Sequence, residues 1–102
     1  MYRASTPTHK FTIPFKQSEI AKMLITYGQQ DDTNDIVLEK TLEDAVFISE
    51  DTFFITLTQE ETSMFTRGMA KLQIRVKTKN GSSVPSKIYY IDVFDVLNDE
   101  VM

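Results

Sequence analysis

Enzymes need nucleophiles, proton carriers, metal ligands or anion-binding donors, and this sequence offers few of them. His9 is its single histidine. With no Cys, His or acid close by in sequence, His9 reads as a solvated ring at a strand edge rather than as a base or metal ligand. Asp31, Asp32, Asn34 and Asp35 bring together the oxygen donors that calcium takes, but the run lacks the glycine and closing glutamate of an EF-hand. It reads as a polar loop. Glu60 and Glu61 are adjacent carboxylates of the kind that acid–base chemistry uses. However, Thr58-Gln59-Glu60-Glu61 fits a capping box, in which the Thr58 hydroxyl accepts from the Glu61 amide and the Glu61 carboxylate reaches back to the Thr58 amide. The absence of Cys excludes disulfides, thiolate chemistry and Cys-type zinc sites. No glycine-rich phosphate loop occurs. We therefore expect a protein with no catalytic site, no cofactor and no small-molecule substrate.

Charge is more informative than titratable chemistry. The net charge is −4, but residues 31–61 hold ten acids against the single base Lys40, a net of −9. Residues 66–90 hold Arg67, Lys71, Arg75, Lys77, Lys79 and Lys87 with no acid, a net of +6. Cross-strand pairing inside the fold is the preferred explanation, with docking between complementary surfaces as the alternative. The basic strand around Lys71, Arg75, Lys77 and Lys79 could contact phosphates. The acidic remainder and the thin stacking platform of Tyr89 and Tyr90 argue against nucleic acid.

At 102 residues, 41% hydrophobic and 25% charged, the chain has the size and composition of one globular unit. No apolar run approaches the roughly 20 residues that span a bilayer. The N-terminus MYRASTPTHK has no apolar stretch behind its basic residues, so synthesis and folding in a cytoplasm are expected, with no membrane partner. The domain reading is a flexible arm over 1–8, one β-sandwich domain over 9–97 and an acidic tail over 98–102.

Period-2 alternation supplies the strands. Phe11, Ile13 and Phe15 alternate in a first strand that, because Pro14 lacks an amide proton, lies at a sheet edge or contains a break. Met23, Ile25 and Tyr27 alternate in a second, which ends at Gly28. A strand at DIVLEK follows the loop QQDDTND, and residues 41–51 are ambiguous, with a short strand over 45–48. Phe53, Ile55 and Leu57 point inward and Phe54 outward. Leu72, Ile74 and Val76 alternate with Lys71, Gln73, Arg75 and Lys77 in the best-patterned strand, and Asn80-Gly81 marks a turn. The last strand, KIYYIDVFDV, puts Tyr89, Ile91 and Val93 toward the core. About seven strands without a long helix predict an antiparallel sandwich with one short helical turn near 59–65.

That turn, Leu57-Thr58-x-Glu60-Glu61-Thr62 and then Phe65 before a strand, resembles the connection between the fifth and sixth strands of immunoglobulin-like sandwiches, where an aromatic anchors the corner. Phe65 would be the anchor. The chain departs from antibody domains in lacking paired Cys and a core Trp, and a Phe cannot supply the tyrosine-corner hydroxyl. The longer pattern FTIPF, ITYGQ, IVLEKTLED, ITLTQEETSMF and LQIRVKT resembles small structural proteins encoded by phages and prophages of Gram-positive bacteria, and the amino-terminal sandwich of upper baseplate proteins. The resemblance implies a virion component of the tail or baseplate region, or an assembly factor. It would have no enzymatic activity, would be found in the host cytoplasm during assembly and then in the virion, and would have itself or another phage structural protein as partner.

Ile88, Tyr90 and Phe94 then share the face where sandwich sheets normally carry polar residues. Burial of this stripe against a partner is expected, with Phe54 or Leu24 contributing elsewhere. The alternative is a small carbohydrate- or peptide-binding sandwich that uses the loops QQDDTND and KNGSSVPSK.

Overall fold

In the computed structural model, which describes residues 1–30, 35–98, 100 and 102, strands form where apolar and polar side chains alternate. β1 (Thr8–Thr12), β2 (Ile20–Gln30) and β3 (Asp35–Thr41) are followed by β4 (Val46–Phe47) and β5 (Thr52–Thr56). The single-turn helix α1 (Gln59–Ser63) leads into β6 (Gly68–Thr78), β7 (Ser83–Pro85) and β8 (Tyr89–Val93). Short 3-10 turns at Gln17–Glu19 and Leu42–Asp44 fill two of the connections. Among the described residues no helix is long and apolar enough to cross a membrane.

All the strand pairs are antiparallel and fall into two sheets, a smaller one in the order β1-β5-β4 and a larger one in the order β3-β2-β6, with β7 and β8 both on the far side of β6. The sheets share one core. Ile25, Tyr27, Leu72, Ile74 and Val76 from the larger meet Phe53 and Ile55 from the smaller, with Leu57 and Phe65 at the corner. Each large apolar side chain fully buried this way contributes roughly 1.5–3 kcal/mol, so this layer supplies the main stabilisation of a chain without disulfides.

β7 and β8 are two pieces of one broken edge strand. From Arg75 to Leu72 β6 advances three residues, while its partner advances four, from Pro85 to Tyr89. The extra residue is a bulge. Ser86 sustains it: the Ile74 amide donates to the Ser86 hydroxyl at 3.0 Å, and the Ser86 amide to the Ile74 carbonyl at 2.7 Å. Counting the broken edge once turns the eight strands among the described residues into seven.

Several expectations need correction. β1 starts at Thr8 and stops at Thr12, so Ile13 is buried beyond the strand. The remainder of the stretch expected to be a flexible arm is docked: the Arg3 amide donates to the Phe94 carbonyl, and the Phe94 amide to the Met1 carbonyl. β2 runs past Gly28 to Gln30, because Gln29 turns inward and clamps Thr66, accepting from its amide and donating to its carbonyl, each at 2.7 Å. Within residues 41–51, Thr41 ends β3, Leu42–Asp44 form a 3-10 turn, the short strand expected over 45–48 shrinks to Val46–Phe47, and 48–51 are bends. Tyr89 does face inward, opposite the buried Leu72, but it is 39% exposed because it lines the open groove at the edge of the larger sheet, which β1 does not cover.

Candidate functional site

The outer face of the larger sheet carries the unusual surface. Along β6 the residues Met69, Lys71, Arg75 and Lys77 are exposed, alternating with the buried Ala70, Leu72, Ile74 and Val76. Tyr90 of β8 lies opposite Lys71, and Asp92 opposite Met69. Phe94 follows β8, and Tyr2 packs its ring against it at 5.2 Å between centroids, beside the parallel bridge between the two residues. Tyr2, Met69, Tyr90 and Phe94 are 58%, 51%, 63% and 48% exposed. Large apolar side chains are common singly on surfaces, but a cluster of them marks a contact site.

The structure thus brings Tyr90 and Phe94 to one face with Lys71, Arg75 and Lys77. Ile88 is exposed in the link between β7 and β8, and Lys79 lies exposed just beyond β6. Phe54 does not join them. It sits on the outside of the smaller sheet, opposite Lys10 and Val46, and is half-buried. Sequence reading missed Tyr2 and Met69. Met69 was legible in principle, since it has the same parity as Lys71, but Tyr2 required knowledge of where the N-terminal residues dock.

Preferred intrachain pairing of the acidic and basic segments does not occur among the described residues. The ion pairs there are Arg3–Asp95, Lys16–Glu50 and Lys40–Glu61. Topology explains the failure. β3 carries Asp35 and Glu39 outward and β6 carries the bases outward, but β2 lies between them with Leu24, Thr26 and Gly28 on that face. Lys22 even lies opposite Lys77, a like-charge cross-strand pair.

Thr58, Glu61 and Phe65 form the corner. The Glu61 amide donates to the Thr58 hydroxyl at 3.1 Å, and the Thr58 amide donates to the Glu61 carboxylate at 2.9 Å. The other Glu61 oxygen pairs with Lys40 Nζ at 2.7 Å. Burial pushes this carboxyl up, but the hydrogen bonds from Lys40 and Thr58 outweigh it and hold Glu61 below the usual carboxylate range. Phe65 is fully buried, and Arg3 donates to the Phe65 and Ser63 carbonyls at 2.6 and 3.2 Å. A guanidinium there satisfies carbonyls left open at the end of α1.

His9 is not the solvated ring expected. Its Nδ1 lies 2.7 Å from the hydroxyl of the buried Tyr27, a bond that joins the two sheets. Burial, with a smaller contribution from the N-terminal ammonium, lowers the His9 pKa, and burial together with the Glu61 charge raises that of Tyr27. A groove of about 480 Å³ runs beside this pair, between β1 and β8, lined by His9, Phe11, Tyr89 and Ile91. Of the proposed calcium run, Asp31, Asp32 and Asn34 lie outside the described residues, and Asp35 is in β3. The loop KNGSSVPSK forms a turn closed by Thr78, whose hydroxyl bonds Asn80, and then β7. No family model matches the chain, and neither a curated protein nor a solved structure matches it.

Proposed function

We propose that the chain is an immunoglobulin-like sandwich serving as a non-enzymatic structural or adaptor protein of a phage or prophage particle, in the tail or baseplate region, and working by docking on protein surfaces. Strand order supports the first part. Immunoglobulin sandwiches run A-B-E-D in one sheet and G-F-C in the other, with C′ added beside C in the variable type. With β1 to β6 taken as B, C, C′, D, E and F, and the broken β7–β8 edge as G, the sheets become B-E-D and C′-C-F-G in unbroken chain order. α1 then occupies the E–F corner.

The observation that carries the docking role is the exposed cluster of Tyr2, Met69, Tyr90 and Phe94 beside the basic side chains of β6. The groups with shifted pKa support a non-catalytic reading, because each has a structural use: Glu61 caps α1 and pairs with Lys40, Asp95 pairs with Arg3, and His9 bonds Tyr27. The phage assignment comes from the sequence resemblance and is tested by the adjoining genes. Their products should be tail or baseplate proteins, one of which co-purifies with this chain and is lost from a Tyr90→Ser/Phe94→Ser variant that still folds. Metabolic neighbours would overturn the phage assignment, and capture unchanged in the double variant would remove the cluster from the interface.

A further inference from the structure

We infer that a second copy of this chain docks on the outer face of the larger sheet, with the acidic β3 of each copy lying over the basic β6 of the other. This goes beyond the docking role proposed above, whose Tyr90 and Phe94 it leaves to a different protein.

The face is polarised across its strands. Asp35 and Glu39 are exposed on β3, Lys71, Arg75 and Lys77 are exposed on β6, and none of the five has an ion-pair partner among the described residues. The one base of β3, Lys40, points the other way and is consumed by Glu61. Between the charged columns β2 presents Leu24, Thr26 and Gly28, with the exposed Lys22 beside Lys77 at the far end, beyond the rows of Glu39, Lys71 and Arg75. Adjacent strands lie about 4.8 Å apart, so the columns are separated by about 10 Å, beyond a Debye length at physiological salt. They do little for each other within one chain.

Symmetric dimers place the same patch on both partners. For two stacked sheets the two-fold axis lies in the plane of contact. An axis across the strands would put β3 on β3 and β6 on β6, opposing like charges. An axis along β2 exchanges the two sides, so that each acidic column meets a basic one. The register also interleaves them. Glu39 shares its row with Thr26 and neutral Gln73, while Lys71 and Arg75 occupy the rows on either side. Glu39 of one copy therefore falls between Lys71 and Arg75 of the other. Gly28 lies on the axis, where an added Cβ would meet only the Ile36 carbonyl, at 3.8 Å. A depression of about 410 Å³ is found there, lined in part by Gly28, Val37, Met69 and Lys71. Tyr90 and Phe94 lie on the far side of β6, outside the overlapped columns, and remain free for a different protein.

Sedimentation equilibrium of the full chain tests this at about 0.05 M and about 0.5 M salt. A dimer is expected at low salt, weakened at least about tenfold at high salt. Arg75→Glu and Glu39→Lys should each weaken it at least about tenfold, since like charges then face each other. An equimolar mixture of the two variants should recover association as a heterodimer. All these positions are exposed, and circular dichroism checks that each variant folds. A monomer under every condition, association insensitive to the reversals, or failure of the mixture to recover would each overturn the inference. The Tyr90→Ser/Phe94→Ser variant should still dimerise, so loss of capture by a neighbouring protein and loss of self-association are read separately.

Discussion

Glu61 joins two kinds of stabilisation that a double-mutant cycle with Lys40 can separate. One carboxylate oxygen accepts from the Thr58 amide at 2.9 Å, the other meets Lys40 Nζ at 2.7 Å, and the paired side chains are 19% and 14% exposed. An exposed ion pair contributes about 0.2–1 kcal/mol, and breaking a fully buried one costs about 3–5 kcal/mol. This pair lies between those limits, so Lys40→Ala should cost about 1.5 kcal/mol. Glu61→Ala loses the pair and also half of the capping box, a further 0.5–1 kcal/mol or about 2–2.5 in total. Urea unfolding of the wild type, both single variants and the double variant should give a coupling energy of about 1 kcal/mol, and Glu61→Ala should lower Tm by roughly 4–8 °C per kcal/mol. The sign of the pH dependence is fixed. Because the carboxyl is held below its ordinary range in the folded state, its contribution is complete above the unfolded value of about 4.3. It is lost as pH falls through the folded value. Coupling at neutral pH should therefore shrink in acid. A neutral-pH coupling below about 0.3 kcal/mol, or one unchanged in acid, would refute this account of the corner.

Thr58→Ala should cost about 1 kcal/mol and leave partner binding by the folded protein intact; loss of binding at unchanged stability would place the turn in the interface. Thr62→Val should cost about 2 kcal/mol in chemical denaturation, because the fully buried Thr62 hydroxyl accepts from the Ser5 amide at 3.0 Å and donates to the Ser5 carbonyl at 2.8 Å. Gln29→Leu should cost about 2 kcal/mol by removing both bonds to Thr66, and hydrogen exchange at the Thr66 amide should speed up. The lowered His9 pKa means that the unfolded chain takes up the proton first, so stability should fall as pH drops below about 6.5. A His9→Gln variant should show a flatter dependence there, and an equal slope in both proteins would assign the effect to other groups.

Strands whose pattern follows from burial on one face were legible. Leu72, Ile74 and Val76 face the core as their alternation requires, as do Phe53, Ile55 and Leu57. The capping residues were legible too, because a capping box is a local contract between side chains and amides three residues apart. What failed depended on tertiary partners. Gln29 interrupts no pattern in the sequence, yet it is buried because Thr66 offers a donor and an acceptor in the right place. The bulge at Ser86 has no alternation signal, since it arises where a hydroxyl takes over a ladder hydrogen bond. His9 looked isolated because Tyr27, its partner, is on another strand and in the other sheet.

The charge pattern shows the same limit in a form that bears on function. Segment totals of −9 and +6 suggested that the acids and bases would find each other, and adjacency in the sheet decides that among the described residues they do not. β2 separates β3 from β6, an insertion invisible to any count along the chain. Side-chain parity sharpens the separation further. In the linear count Lys40 offsets one acid, whereas in the fold it points inward to Glu61 and leaves the outward face of β3 with Asp35 and Glu39 alone. The polarity displayed on this face is therefore cleaner than the polarity written in the sequence. It is also directional, running across the strands rather than along them, and this restricts which symmetric contact such a face can make.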